Sequence, residues 1–220
     1  MKDYKQYYDK EYVESYKAKE GEGRIEKILE RIKLDDNMKV LDVGCGNGFL
    51  ASLVASKVKE YKGIDVSPEF IDAAKKRVSN PNCDFVCTEL TEFSQSIKKN
   101  YDLIFLLDVT EHVPDFDLMP MLKTIRKLLK QGGYLVLHTP NREYILEMLK
   151  GNKIFPQTAG HIAVRNSKEY KLLLKKAGLK NVEVIHQNHY NKLLSRLFLL
   201  AKLPLIGRFF VPRLLIKASI

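Results

Sequence analysis

The stretch VLDVGCGNGF, residues 40–49, places three glycines at every second position directly after an apolar segment. The segment 40–43 is typical of the end of a buried strand, and Gly44, Gly46 and Gly48 follow it. A backbone without side chains can approach a ligand closely, and it can adopt turns that other residues avoid. The stretch therefore predicts a nucleotide-type ligand at the end of the first strand of a sheet.

Strands and helices alternate along the chain on both sides of the glycines. Five apolar segments predict strands: 38–43, 61–66, 83–87, 101–108 and 134–139. Segment 101–108 is almost wholly apolar, which is typical of a strand buried on both faces of a parallel sheet. Helices predicted between the strands, at 48–58, from Pro68 to Val78 and at 118–129, give an α/β fold with a doubly wound sheet and helices on both faces.

The regular alternation of strands and helices ends after Pro140. Residues 141–166 predict an inserted helix and loop, and 167–179 predict a helix with Ser167 as N-cap and Gly178 as its stop. A sixth strand is expected at 181–187, a helix at 191–203 and a last strand from Arg213. Before the sheet, one or two amphipathic helices are expected, with one apolar face formed by Ile25, Ile28, Leu29 and Ile32.

Length and composition predict one folded domain. The chain has 220 residues, 45% of them apolar and 29% charged. We expect a helical cap at 1–33, a core at 34–190 with an insertion at 141–166, and a basic apolar helix and final strand at 191–220 in the same domain. The three cysteines have no paired spacing and are expected to be reduced in a cytoplasmic protein. The first residues are too polar for a signal peptide, and no apolar run reaches the roughly 18 residues of a membrane span.

The glycine spacing distinguishes between nucleotide ligands. The dinucleotide fingerprint G-x-G-x-x-G requires a glycine or alanine where this chain has Phe49, and Gly48 comes one residue early. This counts against NAD and FAD, and the absence of G-K-[ST] excludes a phosphate-binding P-loop. Asp65 ends the second strand about 20 residues after the first glycine, where a carboxylate can accept hydrogen bonds from both ribose hydroxyls.

Four segments in this order carry a family resemblance: VLDVGCGNGF, the GID of the second strand, YDLIFLLDVTEHV (101–113) and GGYLVLHTPNRE (132–143). Over about residues 35–190 they resemble the Rossmann-like, class I S-adenosylmethionine-dependent methyltransferases. The resemblance implies a mostly parallel, seven-stranded sheet whose last strand is antiparallel, so that residues 213–220 form a hairpin with their neighbour. It also implies S-adenosyl-L-methionine as cofactor and S-adenosyl-L-homocysteine as product.

The resemblance implies a set of cofactor-binding residues at the ends of the strands. The glycines pack under the methionine moiety, Asp42 lies next to its amino group, Asp65 holds the ribose, Glu89 lies near the adenine amino group and Asp108 lies beside the sulfonium. Cys45, Val66 and Leu90, neighbours of these residues, complete the set. The residues alone leave other roles open: a plain tight turn for the glycines, a helix cap for Asp65, solvated surface for Glu89 and a plain strand-end acid for Asp108.

The element D-x-x-E-H-V at 108–113, followed by TPNRE and by GH-x(5)-SKEYKLLLKKAGL, resembles the ubiquinone-pathway O-methyltransferase branch. This implies a small-molecule or lipid-linked acceptor, most simply a hydroxyl oxygen, with Asp108, His112 and His161 as catalytic candidates. His112 is either the base or a structural histidine, and His161 either contacts substrate or orders the insertion. His138 ends the fifth strand. Glu111 and His112 could contribute to a metal site, but we expect none.

The tail is basic and apolar at once. Residues 191–220 contain no acid and six bases: Lys192, Arg196, Lys202, Arg208, Arg213 and Lys217. On an α-helical wheel the bases of 191–203 share one side, although Leu199 and Leu203 intrude there. Through 191–217 the tail either docks on an anionic membrane, at its inner face, or packs on the sheet edge and walls the pocket.

The net charge of +10 favours an acidic partner without choosing one. We expect no specific nucleic acid, because the chain lacks motifs for a flipped base and any concentrated arginine-rich tract. Tyr7, Tyr8, Tyr12 and Tyr16 form either a cap over the cofactor or a surface helix. The alternatives to the enzyme are a non-catalytic S-adenosylmethionine-binding partner or scaffold subunit, an RNA or protein methyltransferase and an NAD(P)-dependent enzyme. The oligomeric state is left open.

Overall fold

A computed structural model describes residues 23–95, 100–151, 154–156, 160–188 and 192–220. The helices and tyrosines expected within residues 1–22 lie outside this part of the chain. So does Asn191, the first residue of the expected tail helix.

Seven strands of the described chain form one sheet: β1 (Lys39–Val43), β2 (Glu60–Asp65), β3 (Cys83–Cys87), β4 (Tyr101–Leu107), β5 (Leu129–Pro140), β6 (Lys180–Gln187) and β7 (Arg213–Ser219). Their order across the sheet is β3-β2-β1-β4-β5-β7-β6. β1 pairs in parallel with β2 and β4, and β2 pairs in parallel with β3. β7 pairs antiparallel with β6, so the predicted fold class and the predicted terminal hairpin are confirmed.

The α-helices of the described residues are α1 (Arg24–Leu29), α2 (Phe49–Val54), α3 (Pro68–Arg77), α4 (Leu90–Phe93), α5 (Asp115–Leu128), α6 (Ile145–Gly151), α7 (Ser167–Lys176) and α8 (Lys192–Ser195). Short 3₁₀ helices cover Ala55–Lys57, Thr110–His112, Arg196–Lys202 and Gly207–Phe210. Among the described residues, no helix combines the length and the apolar character that a membrane crossing needs.

The chain divides into two compact units. The first contains the described residues up to Phe105 together with Lys127–Tyr134, and the second contains Leu106–Arg126 and Leu135–Ile220. β4 and β5 contribute residues to both. The domain boundaries predicted at 33/34 and 190/191 stay a prediction.

The core of the first unit follows the predicted pattern. Val40 and Leu41 of β1 are buried, and so are Ile25, Ile28 and Ile32 on the apolar face of α1 and after it, while Leu29 is half-buried. Gly63 of β2 allows Phe85 of β3 to pack against the strand, because a Cβ there would lie 2.6 Å from the Phe85 ring. This packing holds the end of β2 in register with Asp42 of β1.

Several element ends differ from the sequence-based expectation. α7 is capped by Asn166, whose side chain accepts from the Glu169 N–H while the Glu169 side chain accepts from Asn166, so the prediction of Ser167 as N-cap was wrong. Gly178 does follow α7 with a left-handed φ of 85°. α5 begins at Asp115 rather than residue 118, and β5 begins before the Gly132–Gly133 pair.

The single α-helix predicted at 191–203 was also wrong. The described chain forms one turn of α-helix, α8, and then a 3₁₀ helix over Arg196–Lys202. A 3₁₀ helix has three residues per turn, so it brings a different set of side chains onto each face.

Candidate functional site

The glycine loop joins β1 to α2 in the first unit. Gly44, Gly46 and Gly48 all have left-handed φ angles, of 76°, 52° and 76°. The N–H groups of Gly44 and Cys45 both donate to the Ile64 carbonyl, at 2.8 and 3.0 Å, and so hold the loop against the end of β2. A Cβ at Gly48 would lie 3.0 Å from the Cβ of Ala74, so both the backbone angle and the space require glycine there.

Asp65 ties the end of β2 to this loop. Its Oδ2 accepts from the Gly46 N–H and its Oδ1 from the Ser67 N–H, both at 3.0 Å. Burial raises the pKa of Asp65, and its bonds to these backbone N–H groups oppose that rise. The Val66 N–H also bonds to this carboxylate, which has about four lone-pair positions in all, so acceptor capacity remains for a ribose hydroxyl. The N-cap of α3 is Ser67, whose Oγ accepts from the Phe70 N–H, so the helix-cap reading of Asp65 was wrong.

Asp42 is a buried carboxyl in β1. It is 3% exposed, and the Tyr61 hydroxyl donates to its Oδ2 at 2.6 Å. Burial raises the pKa of Asp42 to about 7, although the Tyr61 hydrogen bond lowers it. A cation beside Asp42 would favour the charged form, so the site fits the cationic amino group that the resemblance assigns to it.

The other residues of the predicted cofactor set also lie in the first unit. Cys45 is buried, and its burial raises the pKa of the thiol well above its ordinary value, so the thiol is unreactive. Glu89 is half-buried immediately before α4, and Leu90, the first residue of α4, is buried. Val66 follows Asp65, and its carbonyl accepts from the Cys87 thiol at 3.6 Å. The contacts of these residues with a cofactor stay a prediction.

Asp108 belongs to the second unit and directly follows β4. Its φ of 54° is left-handed, which is uncommon and strained for a residue with a Cβ. Its Oδ1 lies 2.8 Å from Nδ1 of the buried His138 and accepts from the Arg213 guanidinium at 3.1 Å. Asp108 is therefore no plain strand-end acid. Arg213 was missed from the sequence, where it was counted only as one base of the tail.

Glu111 lies in the 3₁₀ helix that follows, and it is fully buried. Burial raises its pKa to about 8, and the nearby Asp108 charge adds to the rise. The Thr139 hydroxyl donates to Glu111 Oε2 at 3.3 Å and lies 3.2 Å from the Tyr170 hydroxyl, which in turn lies 2.7 Å from the Thr110 hydroxyl. These buried hydroxyls fix the position of the carboxyl.

His112 and His161 meet edge to face, with ring centroids 5.1 Å apart and an interplanar angle of 81°. His112 Nδ1 lies 2.9 Å from the Gly160 carbonyl. Because a carbonyl oxygen only accepts, Nδ1 carries the proton in this bond and Nε2 keeps its lone pair. Burial lowers the pKa of His112, and burial together with His112 lowers that of His161 to about 4. Both rings are therefore neutral near pH 7.

The side chains of Glu111, His112 and His161, here called the Glu111 cluster, each offer one ligand atom, and these atoms all lie within 4.8 Å of one another. His161 Nδ1 is buried and has no hydrogen-bond partner among the described residues. Carboxylate and imidazole are common ligands of divalent cations, so the donor set is one that a cation could use. The absence of a metal stays a prediction.

Arg165, 4% exposed, is a residue that the sequence did not single out. Its guanidinium donates to the carbonyls of Thr110, Val113 and Ala163 at 2.7, 2.6 and 2.8 Å, and to the Asp115 carboxylate. The N–H groups of residues 162 and 163 also donate to the Glu111 carbonyl. These bonds join the end of the insertion to the 3₁₀ helix and hold His112 and His161 together.

Comparison with known proteins finds methyltransferases in sequence and in structure. A family model for a methyltransferase domain matches residues 16–184. The ubiquinone biosynthesis O-methyltransferase of Coxiella burnetii is 32% identical over 123 residues, which are 55% of this chain and 51% of that protein. The chain thus spans about half the length of the curated relatives that it matches, such as this one.

Solved structures support the fold. An S-adenosylmethionine-dependent methyltransferase from Archaeoglobus fulgidus matches with a TM-score of 0.71 and 20% identity, over 96% of this chain and 100% of that one. Haemonchus contortus phosphoethanolamine N-methyltransferase 2, in complex with S-adenosyl-L-methionine, matches with a TM-score of 0.75 and 17% identity, over 98% and 59%. With the family model covering most of the chain, and with this sheet and glycine loop, the chain belongs to the S-adenosylmethionine-dependent methyltransferases of the class I, Rossmann-like fold.

Proposed function

We propose that this chain transfers the methyl group of S-adenosyl-L-methionine to a hydroxyl oxygen of a small or lipid-linked acceptor in the cytoplasm. The observation that carries the proposal is the fixed tautomer of His112, because an acceptor hydroxyl must give up its proton to a base. Its Nδ1–H is bonded to the Gly160 carbonyl, which leaves a neutral Nε2 able to accept a proton. The O-methyltransferase name of the curated relatives supports the choice of oxygen.

The first unit supplies the cofactor site of this proposal. The glycine loop receives the methionine moiety, Asp42 receives its amino group and Asp65 receives the ribose hydroxyls. Glu89 and Leu90 contact the adenine, and Cys45 and Val66 contribute backbone. The bound cofactor supplies an activated methyl group on a sulfonium, and the chain contributes binding and orientation.

The second unit supplies the acid and base groups. A hydroxyl must lose its proton as it takes the methyl group, and a neutral imidazole can accept that proton. His112 is the proposed base, and His161 contacts the acceptor. Asp108 contributes a negative charge beside the sulfonium. Its contacts with His138 and Arg213 fix the orientation of its carboxylate.

A label-transfer assay tests the reaction. The full chain and methyl-labelled S-adenosylmethionine are mixed separately with lipid, polar small-molecule, RNA and protein fractions of cells. Label should enter the lipid or polar fraction. Label only in RNA or protein would contradict the acceptor class, and cofactor binding without transfer would favour the non-catalytic alternative.

Two sets of variants test the residues. His112→Asn should lower the transfer rate about 100-fold or more, since general bases contribute roughly 10²–10⁴, while cofactor affinity stays unchanged. His186→Asn, an exposed histidine on β6, is the matched control and should change neither. Asp65→Ala and Gly46→Val should each weaken cofactor binding, and unchanged affinity in both would refute the cofactor site.

A further inference from the structure

Exposed apolar side chains concentrate in one short segment of the second unit. Of the thirteen large apolar side chains that are exposed in the described part of the chain, six lie between residues 197 and 206. They are Leu197, Leu199, Leu200, Leu203, Leu205 and Ile206. Three exposed bases lie among and beside them: Arg196, Lys202 and Arg208. These nine residues are called the tail surface.

The 3₁₀ geometry arranges these residues by face. With three residues per turn, side chains three apart stand one above the other. One face then carries Arg196, Leu199 and Lys202, and the next carries leucines alone, at 197, 200 and 203. The third face carries Phe198 and Ala201, which are half-buried. Two of the three faces are therefore exposed; one carries a leucine between two bases, and the other carries three leucines.

Leu205 extends this surface at a turn. Its φ of 69° lies in the left-handed region, where a leucine is strained, and its side chain is 93% exposed. The turn is closed by the Gly207 N–H, which donates to the Leu203 carbonyl at 3.0 Å. A glycine or asparagine would relieve the strain. A leucine that is strained and exposed at this position indicates that its apolar side chain binds a partner.

The charge of the segment determines the kind of partner. Residues 192–220 contain no acid, and Arg196 and Lys202 stand one turn apart on the face that also carries Leu199. Arg208 lies over the Phe209 ring and 3.9 Å from Glu143, at the long limit of an ion pair. Leucines beside Arg196 and Lys202, which form no ion pair with the described residues, match an apolar interior bounded by negative head groups.

We propose that the tail surface docks this protein on an anionic lipid bilayer, with Leu199, Leu203 and Leu205 entering the acyl region and Arg196 and Lys202 contacting the head groups. This docking does not depend on methyl transfer, so that vesicle binding and turnover can fail separately.

Vesicle sedimentation with the full chain tests the proposal. Phosphatidylcholine vesicles containing roughly a third phosphatidylglycerol should bind the protein, and binding should weaken as salt rises, because salt screens exposed charges. Pure phosphatidylcholine should bind it at least tenfold more weakly. Absence of binding to the anionic vesicles, or equal binding to both, would overturn the proposal.

Two double variants test whether the tail surface, rather than the overall charge, binds the vesicle. Arg196→Gln with Lys202→Gln should weaken binding by roughly 30-fold, since each base near an anionic surface contributes about a factor of five. The matched control is Lys123→Gln with Lys127→Gln, two exposed lysines of α5, and it should change binding less than twofold. An equal loss in the control would show that the overall charge, rather than the tail surface, attracts the vesicle.

Leu205→Asn separates docking from folding. Asparagine tolerates the left-handed angle, so the melting temperature should hold or rise while vesicle binding falls at least tenfold. Phe116→Asn, a 74% exposed residue of α5, is the control and should leave binding unchanged. If Leu205→Asn binds vesicles like the wild type, the proposal fails. Light scattering that shows a dimer broken by Leu205→Asn, without vesicle binding, would assign the surface to a second copy instead.

Discussion

Replacing Asp42 by asparagine should stabilise the protein at pH 8 while weakening its binding of the cofactor. The pKa of Asp42 is raised from an ordinary value of 3.8 to about 7, so the folded protein binds this proton more tightly than the unfolded chain does. The free energy of unfolding therefore falls as the pH rises from about 4 to about 7, and the full cost of the buried charge remains above pH 7. Asparagine never ionises and avoids this cost.

The raised pKa sets the size of the effect. At 1.36 kcal/mol for each pH unit, the raised pKa of Asp42 costs the folded protein roughly 4 kcal/mol at pH 8, where the buried carboxyl is ionised. At pH 5 it costs roughly 2 kcal/mol, because the folded protein must hold a proton that the unfolded chain has released. The asparagine amide adds a penalty of about 1–3 kcal/mol if its N–H₂ finds no acceptor, but that penalty is the same at both pH values. The stability gained by Asp42→Asn should therefore be about 2–3 kcal/mol larger at pH 8 than at pH 5.

Urea unfolding of wild type and variant at the two pH values measures this difference, and calorimetry at pH 8 measures the cofactor affinity. Affinity should fall about 10- to 100-fold, because a hydrogen bond to a charged group is lost. Asp72→Asn, on the exposed side of α3, should change stability by less than about 0.5 kcal/mol at either pH. An equal gain at pH 5 and pH 8 would refute the raised pKa, and unchanged affinity would refute the contact with the amino group.

Three further outcomes are expected. Gly48→Ala should cost about 2 kcal/mol more than Gly132→Ala, which has the same kind of φ but no atom within 4 Å of its Cβ, and thermal melts should show it as roughly 6 °C. Asn166→Ala should cost about 1 kcal/mol in urea unfolding, whereas Ser167→Ala should stay within about 0.5 kcal/mol; the reverse order would contradict the observed cap. Dialysis against a chelator should leave label transfer unchanged, while a loss that added Zn²⁺ or Mg²⁺ reverses would assign the Glu111 cluster to a cation.

The strands could be predicted because their signal is local. β3 begins and ends at the predicted residues, and β1, β2 and β4 lie within one residue of the prediction. Each is a short apolar run bounded by polar or turn-forming residues, so the apolar run alone is enough to predict the strand. The positions of the glycine loop and of Asp65 could be predicted for the same reason, since the loop directly follows β1 and Asp65 ends β2.

The cap of α7 shows a signal that was present but misread. Asparagine and serine are about equally good N-caps, so preference at one position cannot separate Asn166 from Ser167. The reciprocal partner does so, because Glu169 stands three residues after Asn166 whereas Tyr170 stands three after Ser167. The Glu169 side chain, as the acceptor for the Asn166 N–H, therefore favours a start one residue earlier than was predicted.

Arg165 gave no such signal, because its partners are distant in sequence. Its bonds to the carbonyls of Thr110 and Val113 span 55 and 52 residues, and no local pattern marks an arginine that will be buried. The same holds for Arg213, which reaches Asp108 across 105 residues. From the sequence, Arg213 was counted only as one base of the tail, and Arg165 was not singled out, since most arginines lie at the surface.

The α-helix predicted over 191–203 was wrong because the spacing of the leucines fits both an α-helix and a 3₁₀ helix. At 3.6 residues per turn, Leu199 intrudes on the charged side of the predicted helix, which weakened the case for an amphipathic surface. At three residues per turn, Leu199 stands between Arg196 and Lys202 as part of their face, while Phe198 and Ala201 turn together toward the protein. Because Phe198 and Ala201 are half-buried, the 3₁₀ helix presents this face to the protein. The leucines on its other two faces are therefore exposed.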